Sequence, residues 1–221
     1  MLCAQTFFGE QVQARVAKKT LKHYCPECRE AVILKRGLVK IAHFAHKATA
    51  GCEYGSGETE EHRSAKQFIY DLLLKAPANY GVSKVMLERG LGTVRPDVSC
   101  QIGDRYVAFE LQRSEMSLEN VQYRTAQYVS KGIDVRWVLL GARKEDRLGR
   151  HAPKVWERWI YNNNKRHLYV WAGRGLLVHD YTFTLCEIEV EETEWGGGYS
   201  YPSKRFVYLT DNGFVSLLDI T

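Results

Sequence analysis

Arg95-Pro-Asp-Val-Ser-Cys-Gln-Ile-Gly-Asp-Arg-Tyr-Val-Ala-Phe-Glu-Leu-Gln112 reads as two strands around a two-residue turn at Gly103-Asp104. With that turn, Ile102 pairs with Arg105. Stepping outward, Asp97 falls opposite Glu110 and Arg95 opposite Gln112. Alternation turns Asp97 away from Val98, Cys100 and Ile102, and sets Glu110 and Gln112 on the face opposite Val107, Phe109 and Leu111. Directly opposed side chains have Cβ atoms about 5 Å apart, where like charges repel. Such a pair shares a proton, gains a cation, or sits far out in water. The flanking strands are apolar, so a divalent cation is the better resolution, and Mg²⁺ suits one or two carboxylates with waters and a phosphate. The competing reading is a surface acid pair neutralised by Arg95 and Arg113.

Working outward, residues 58–140 predict helix, strand, strand, strand, helix, strand. The first helix starts near Thr59 and carries Ala65, Phe68, Ile69, Leu72 and Leu73 at helical spacing. On it Glu58, His62 and Lys66 recur every four residues, placing an acid, an imidazole and an ammonium beside the apolar stripe. Strands fit 82–88, 94–102 and 105–112. The first closes on Glu88, a further candidate acid. A second helix begins at Ser117, with Arg124 and Tyr128 on one side, read equally well as a functional pair or as plain helix surface. A strand follows at 134–140. Beyond it, a charged loop leads to a helix containing Trp156 and Ile160, then to strands near 167–172, 175–190 and 204–218.

Before the helix lie Cys25-Pro-Glu-Cys28, His43-Phe-Ala-His46 and Cys52, around a hairpin pattern of Ala31–Leu34 and Leu38–Ile41 joined near Gly37. Cys-x2-Cys is the usual start of a structural zinc site, and Cys52 with one histidine completes a Cys3His set. His46, nearer to Cys52, is the preferred fourth ligand, with His43 the alternative. A redox Cys-x-x-Cys would be expected with a βαβ pattern nearby, which is absent.

Composition bounds the rest. The chain has 221 residues, 45% hydrophobic and 12% aromatic, which excludes low-complexity disorder. No apolar run approaches the ~18 residues of a bilayer span, so a membrane role is not expected. With no secretory pattern at the amino end, a cytoplasmic location is expected and the cysteines read as ligands or thiols rather than disulfides. Residues 1–57 hold nine Lys/Arg and four acids, which accounts for the whole net charge of +5. A basic module on a neutral body suits a polyanion partner. The division expected is 1–57, a basic zinc-binding module; 58–145, the core; and 146–221, a helix plus β-rich extension.

Together, the Cys and His elements, Glu58-Thr-Glu-Glu-His62, Arg95-Pro-Asp97-Val, Phe109-Glu110-Leu-Gln112 and Arg124-Thr-Ala-Gln-Tyr128 resemble the CoiA-like competence proteins across roughly residues 20–140. The resemblance implies an α/β, restriction-endonuclease-like PD-(D/E)XK core of mixed sheet and flanking helices. A small zinc-binding hairpin module precedes that core. It puts Asp97 and Glu110 at the acidic positions of the class and Gln112 where lysine usually stands, so that Lys66 becomes a candidate for the missing charge. The expected activity is Mg²⁺- or Mn²⁺-dependent cleavage of DNA. Asp97 and Glu110 with Glu88 would be ligands of the ion, Gln112 and His62 would assist water, and Lys66, Arg95 and Arg124 would hold the DNA backbone. Recombination proteins are the further partners implied. The alternative is an inactive, zinc-containing, nucleic-acid-binding adaptor that recruits them.

Overall fold

The computed structural model describes every residue except 48–50, 53, 146, 191–195 and 221. It divides into two compact units, Met1–Leu111 with Ala126–Val135, and Gln112–Thr125 with Arg136–Thr221.

The first unit opens with five short strands, β1 (Cys3–Gln5), β2 (Gln11–Gln13), β3 (His23–Tyr24), β4 (Ala31–Lys35) and β5 (His43–Ala45). They form one antiparallel sheet in the order β2-β1-β3-β4-β5. Met1, Ala4, Ala14, Ala17, Cys25, Val32 and Phe44 make its core. The expected hairpin partner of β4, Leu38–Ile41, is instead an irregular connection, and β4 pairs with β5 through Leu34↔Phe44. The reason is burial: this register puts the Phe44 ring in the core and carries the chain on to His46, whereas Leu38 and Val39 both face water.

The helix α1 (Glu60–Leu73) starts where expected. The Thr59 hydroxyl accepts the His62 N–H at 3.2 Å, and Glu60 and Glu61 occupy the first turn, where the helix dipole favours acids. Its buried side is Ala65, Lys66, Ile69, Tyr70 and Leu73, set toward β6 (Val82–Leu87) and β7 (Val98–Ile102). The strand β8 (Arg105–Gln112) returns antiparallel to β7 in the expected register, from Ile102↔Arg105 to Val98↔Phe109. Gly103 makes the turn possible by taking φ +60°, a value costly for any residue with a Cβ. Next come α2 (Leu118–Val129) and β9 (Ile133–Leu140). Tyr128 is fully buried against Val94 and Ala108, which corrects the helix-surface reading.

The second unit adds β10 (Arg150–His151), α3 (Val155–Asn163), β11 (Leu168–Arg174), β12 (Leu177–Val190) and β13 (Tyr199–Ser216). The strand β11 runs parallel to β9, and the chain between them passes through α3, the crossover a parallel pair requires. The strands β11, β12, β13 and β10 then continue as antiparallel neighbours. Trp156, Ile160 and Tyr161 bury the inner side of α3, and Tyr161 stacks on Phe183 with centroids 4.0 Å apart. Among the described residues, no helix is long and apolar enough to cross a membrane.

Candidate active site and metal-ligand cluster

Five ionisable side chains from α1 and the residue before its N-cap, the end of β6 and the start of β7 meet inside the first unit. Lys66, on the buried side of α1, ion-pairs with Glu58, with Glu88 at 2.6 Å and with Asp97 at 3.5 Å. His62, one turn earlier, bridges Glu58 at 3.4 Å through Nδ1 and Asp97 at 3.2 Å through Nε2. The four-residue spacing of His62 and Lys66 sets both on one face of α1, and Glu58, just before the Thr59 N-cap, joins them from outside the helix.

Asp97 stands one position beyond the last β7–β8 pair, where the register sets it across from Glu110. Its Oδ2 accepts the Leu111 N–H at 2.9 Å, so it is held beside the backbone that carries Glu110. Burial alone would raise its pKa, but the His62 and Lys66 charges and that N–H hold it at about 2. For His62, burial works against protonation. The Asp97 charge, with hydrogen bonds to Asp97 and Glu58, overcomes that and raises its pKa to about 9. At neutral pH the centre therefore contains ionised Asp97 beside an imidazolium and an ammonium. Burial likewise opposes the charge on Lys66, and the three acids more than offset it, moving its pKa upward.

Glu110 is also buried, and its carboxylate accepts a hydrogen bond from the Tyr128 hydroxyl. Sequence reading placed Tyr128 on the right helix but did not anticipate this bond.

The structure gives Glu88 an occupation different from the metal ligand expected. It adopts φ +46°, a strained value for a residue with a side chain. Its two oxygens accept the Leu2 N–H, the Cys3 N–H at 2.9 Å and the Tyr54 hydroxyl at 3.0 Å, besides pairing with Lys66. A carboxylate has about four lone-pair sites, and these donors fill them. Glu88 thus anchors the first strand to the centre. The backbone nitrogen of Met1 lies 2.8 Å from Glu58 and adds to that anchorage. No motif in residues 1–5 signalled it, because the contacts span 57 to 86 positions of sequence.

The residues expected on DNA take other places. Lys66 is buried in the ionic centre rather than displayed on a surface. Arg95 donates to the Glu88 carbonyl at 2.8 Å and to Glu27, with its guanidinium over the Tyr54 ring. Arg124, half-buried on α2, lies over the Trp137 ring. Gln112 donates to the Ser114 carbonyl at 2.6 Å.

The second cluster is built differently. Cys25, Cys28, His46 and Cys52 bring one ligand atom each within 4.8 Å of one another. Cys28 Sγ and His46 Nε2 are 3.4 Å apart, close to the roughly 3.6 Å between S and N ligands of a tetrahedral zinc ion. A tight turn sets the first two sulfurs: Cys25 N–H bonds the Glu30 carbonyl, Arg29 N–H bonds the Cys25 carbonyl, and Arg29 is left-handed at φ +64°. Burial pushes the Cys25 thiol up to about 11, against backbone N–H groups that favour its thiolate. His43 turns aside and bonds the Ile41 carbonyl at 2.9 Å.

Two domain families match this chain in the same order. Residues 9–55 match "Competence protein CoiA, N-terminal domain" and residues 58–174 match "Competence protein CoiA, nuclease-like domain", the latter more than half of the sequence. The chain belongs to the CoiA family. Its nuclease-like domain contains α1, β7 and β8, and so the whole ionic centre apart from the strand β1 segment and Tyr54. A curated relative, "Competence protein CoiA" of Bacillus subtilis (strain 168), is 30% identical over 124 residues, 55% of this chain. The chain spans about a third of that relative's length, 32%. No solved structure matches.

Proposed function

We propose that this CoiA-family chain is a metal-dependent nuclease with a PD-(D/E)XK-type centre that hydrolyses phosphodiester bonds in DNA. The observation that supports the reading is that Asp97 accepts the Leu111 N–H, next in the chain to Glu110, with Lys66 and His62 beside its carboxylate. Asp97 and Glu110 are the carboxylates that would hold Mg²⁺ or Mn²⁺; when bound, the ion lowers the pKa of water and offsets phosphate charge. The donor set fits such an ion in type, since Asp97 and Glu110 offer carboxylate oxygens and Asp97 is ionised far below neutral pH.

In this scheme Lys66 supplies the positive charge that the class draws from the position of Gln112. Glu58 and Glu88 hold its ammonium in place. His62, charged below about pH 9, orients Asp97 through Nε2 while Nδ1 faces Glu58. Cys25, Cys28, His46 and Cys52 would hold a structural Zn²⁺ within residues 1–57, because all four positions are filled by protein and none is left for water. The core would run over 58–145, with 146–221 as an extension. The relative is named a competence protein; DNA and recombination proteins are the partners we propose for this chain.

The test is cleavage of single-stranded, duplex and branched DNA with Mg²⁺ or Mn²⁺. Asp97→Ala is expected to abolish cutting; it should also lower the melting temperature, since Asp97 pairs with His62 and Lys66, but leave the protein folded at the assay temperature, as circular dichroism would show. Unchanged cutting would remove Asp97 from the chemistry.

One observation favours a second reading, an adaptor without turnover. The acids around Lys66 are already neutralised by protein cations, and an amide stands at position 112. Intact DNA binding with no cutting across metals and substrates would decide for it.

A further inference from the structure

Strand directions in the N-terminal sheet bring two loops to one end. The chain passes up β1 and turns at Phe7-Phe8 before β2. It passes up β4 in the same direction and turns through Leu38-Val39 before β5, since β1 and β4 are each antiparallel to β3 between them. The Cys/His cluster lies at the opposite end, where β3 meets β4 through Cys25–Glu30 and β5 runs on to His46. Two strand spacings, about 10 Å, separate the two loops.

Four large apolar side chains on these loops are almost entirely in water: Phe7 79%, Phe8 87%, Leu38 106% and Val39 95% exposed. The Phe7 and Phe8 rings meet edge to face at 5.6 Å, and Phe7 lies 6.3 Å from Tyr24, so the aromatic pair is braced by the sheet. A groove of about 330 Å³ lies along β3 and β4, lined by Lys19, Leu21, Lys22, His23 and Ile33 among others. Lys18, Lys35, Arg36 and Lys40 are also exposed at this end. Lys19 reaches the Arg36 carbonyl, which ties the lysine-rich segment to the second loop. Against these cations stand Glu10, on the first loop, and Glu60, which is engaged by the Ile41 N–H and by Arg63.

Exposed apolar groups ringed by cations mark an interaction surface, and the charge selects a polyanion. The aromatic pair narrows the choice. In a duplex the bases are stacked on one another, whereas a single strand offers a free π-face to each ring while lysines track its phosphates. The Ile41–Glu60 bond joins this end of the sheet to the first turn of α1, the helix that carries His62 and Lys66. We propose that the Phe7-Phe8 and Leu38-Val39 loops, with the lysines beside them, form a binding surface for single-stranded DNA. The proposal rests on the nuclease reading for its choice of ligand, but its test does not depend on turnover.

The experiment is fluorescence anisotropy of a labelled oligo-dT of about 20 nucleotides and a blunt duplex. It uses Asp97→Ala protein without added Mg²⁺ or Mn²⁺, at several salt concentrations. Tighter binding of the single strand is expected, with affinity falling steeply as salt rises. Phe7→Ser/Phe8→Ser should weaken oligo-dT binding about tenfold or more and leave the salt dependence intact. Lys18→Gln/Lys19→Gln/Lys22→Gln should flatten that dependence. Leu38→Ser/Val39→Ser is a second, independent lesion expected to weaken binding. Zinc content and melting temperature report that each variant is folded. Equal affinity for duplex and single strand, or unchanged oligo-dT binding in the Phe variant, overturns the proposal. So does tighter association with phosphatidylserine vesicles than with oligo-dT, which would assign the loops to a membrane surface. Failure of the nuclease reading shows separately, as an absence of Asp97-dependent cutting.

Discussion

In the N-terminal sheet, Cys25, Cys28, His46 and Cys52 converge with ligand atoms within 4.8 Å of one another, and Arg29 and Glu30 meet Cys25 only through backbone bonds. Around α1, three carboxylates converge too, but Lys66 and His62 stand among them. Among the described residues the first arrangement gathers four ligand atoms that could hold a metal ion. The second carries its own counter-charge, which keeps the acids ionised and in position without a bound ion.

The sharpest way to break the comparison is to remove metal from the first cluster. Cys25→Ser/Cys28→Ser, or prolonged chelation, should abolish bound zinc and unfold residues 1–55, since structural zinc supplies on the order of 10 kcal/mol in small domains. Metal analysis and hydrogen exchange check it, and a protein that stays folded without zinc would dissolve the contrast. Next in size is Lys66→Met, which leaves Glu58, Glu88 and Asp97 without their shared cation. A loss of roughly 3–5 kcal/mol in urea unfolding is expected. A change below about 1 kcal/mol would mean the acids are hydrated rather than held.

The pH dependence of stability should be smaller. The folded His62 pKa of about 9 lies above its ordinary 6.5, so its contribution is complete below pH 6.5 and fades as pH rises through 9. The folded Asp97 value of about 2 lies below its ordinary 3.8, so its contribution is present above pH 3.8 and fades as pH falls through 2. Between pH 6 and 9.5 the wild type should lose roughly 3 kcal/mol more than His62→Gln. Parallel curves for the two proteins would detach His62 from the cluster. The smallest effect is that of Tyr128→Phe, expected to cost about 1–3 kcal/mol by withdrawing a buried donor from Glu110.

Much of the core was legible in the chain. Thr59 marks the start of α1, and Gly103-Asp104 sets the β7–β8 register and with it the opposition of Asp97 and Glu110. The spacing of His62 and Lys66 announces one helix face. These are local rules, operating over four residues in a helix and two in a turn. What escaped depends on distant chain. The partner of β4 was misplaced by several residues because Leu38–Ile41 has the right residue types, and only the buried place for Phe44 decides against it. Glu88 looked like a free acid, and its donors come from Leu2, Cys3 and Tyr54.

Sequence alone determined which residue types stand at helical and hairpin spacing, and hence which acids, cations and thiols this protein can bring together. Tertiary structure decided which of them meet as ligands and which as counter-ions. Burial removes water from Lys66, Glu88 and Asp97 at once, and a charge taken out of water must find its partner wherever the packed chain has brought one.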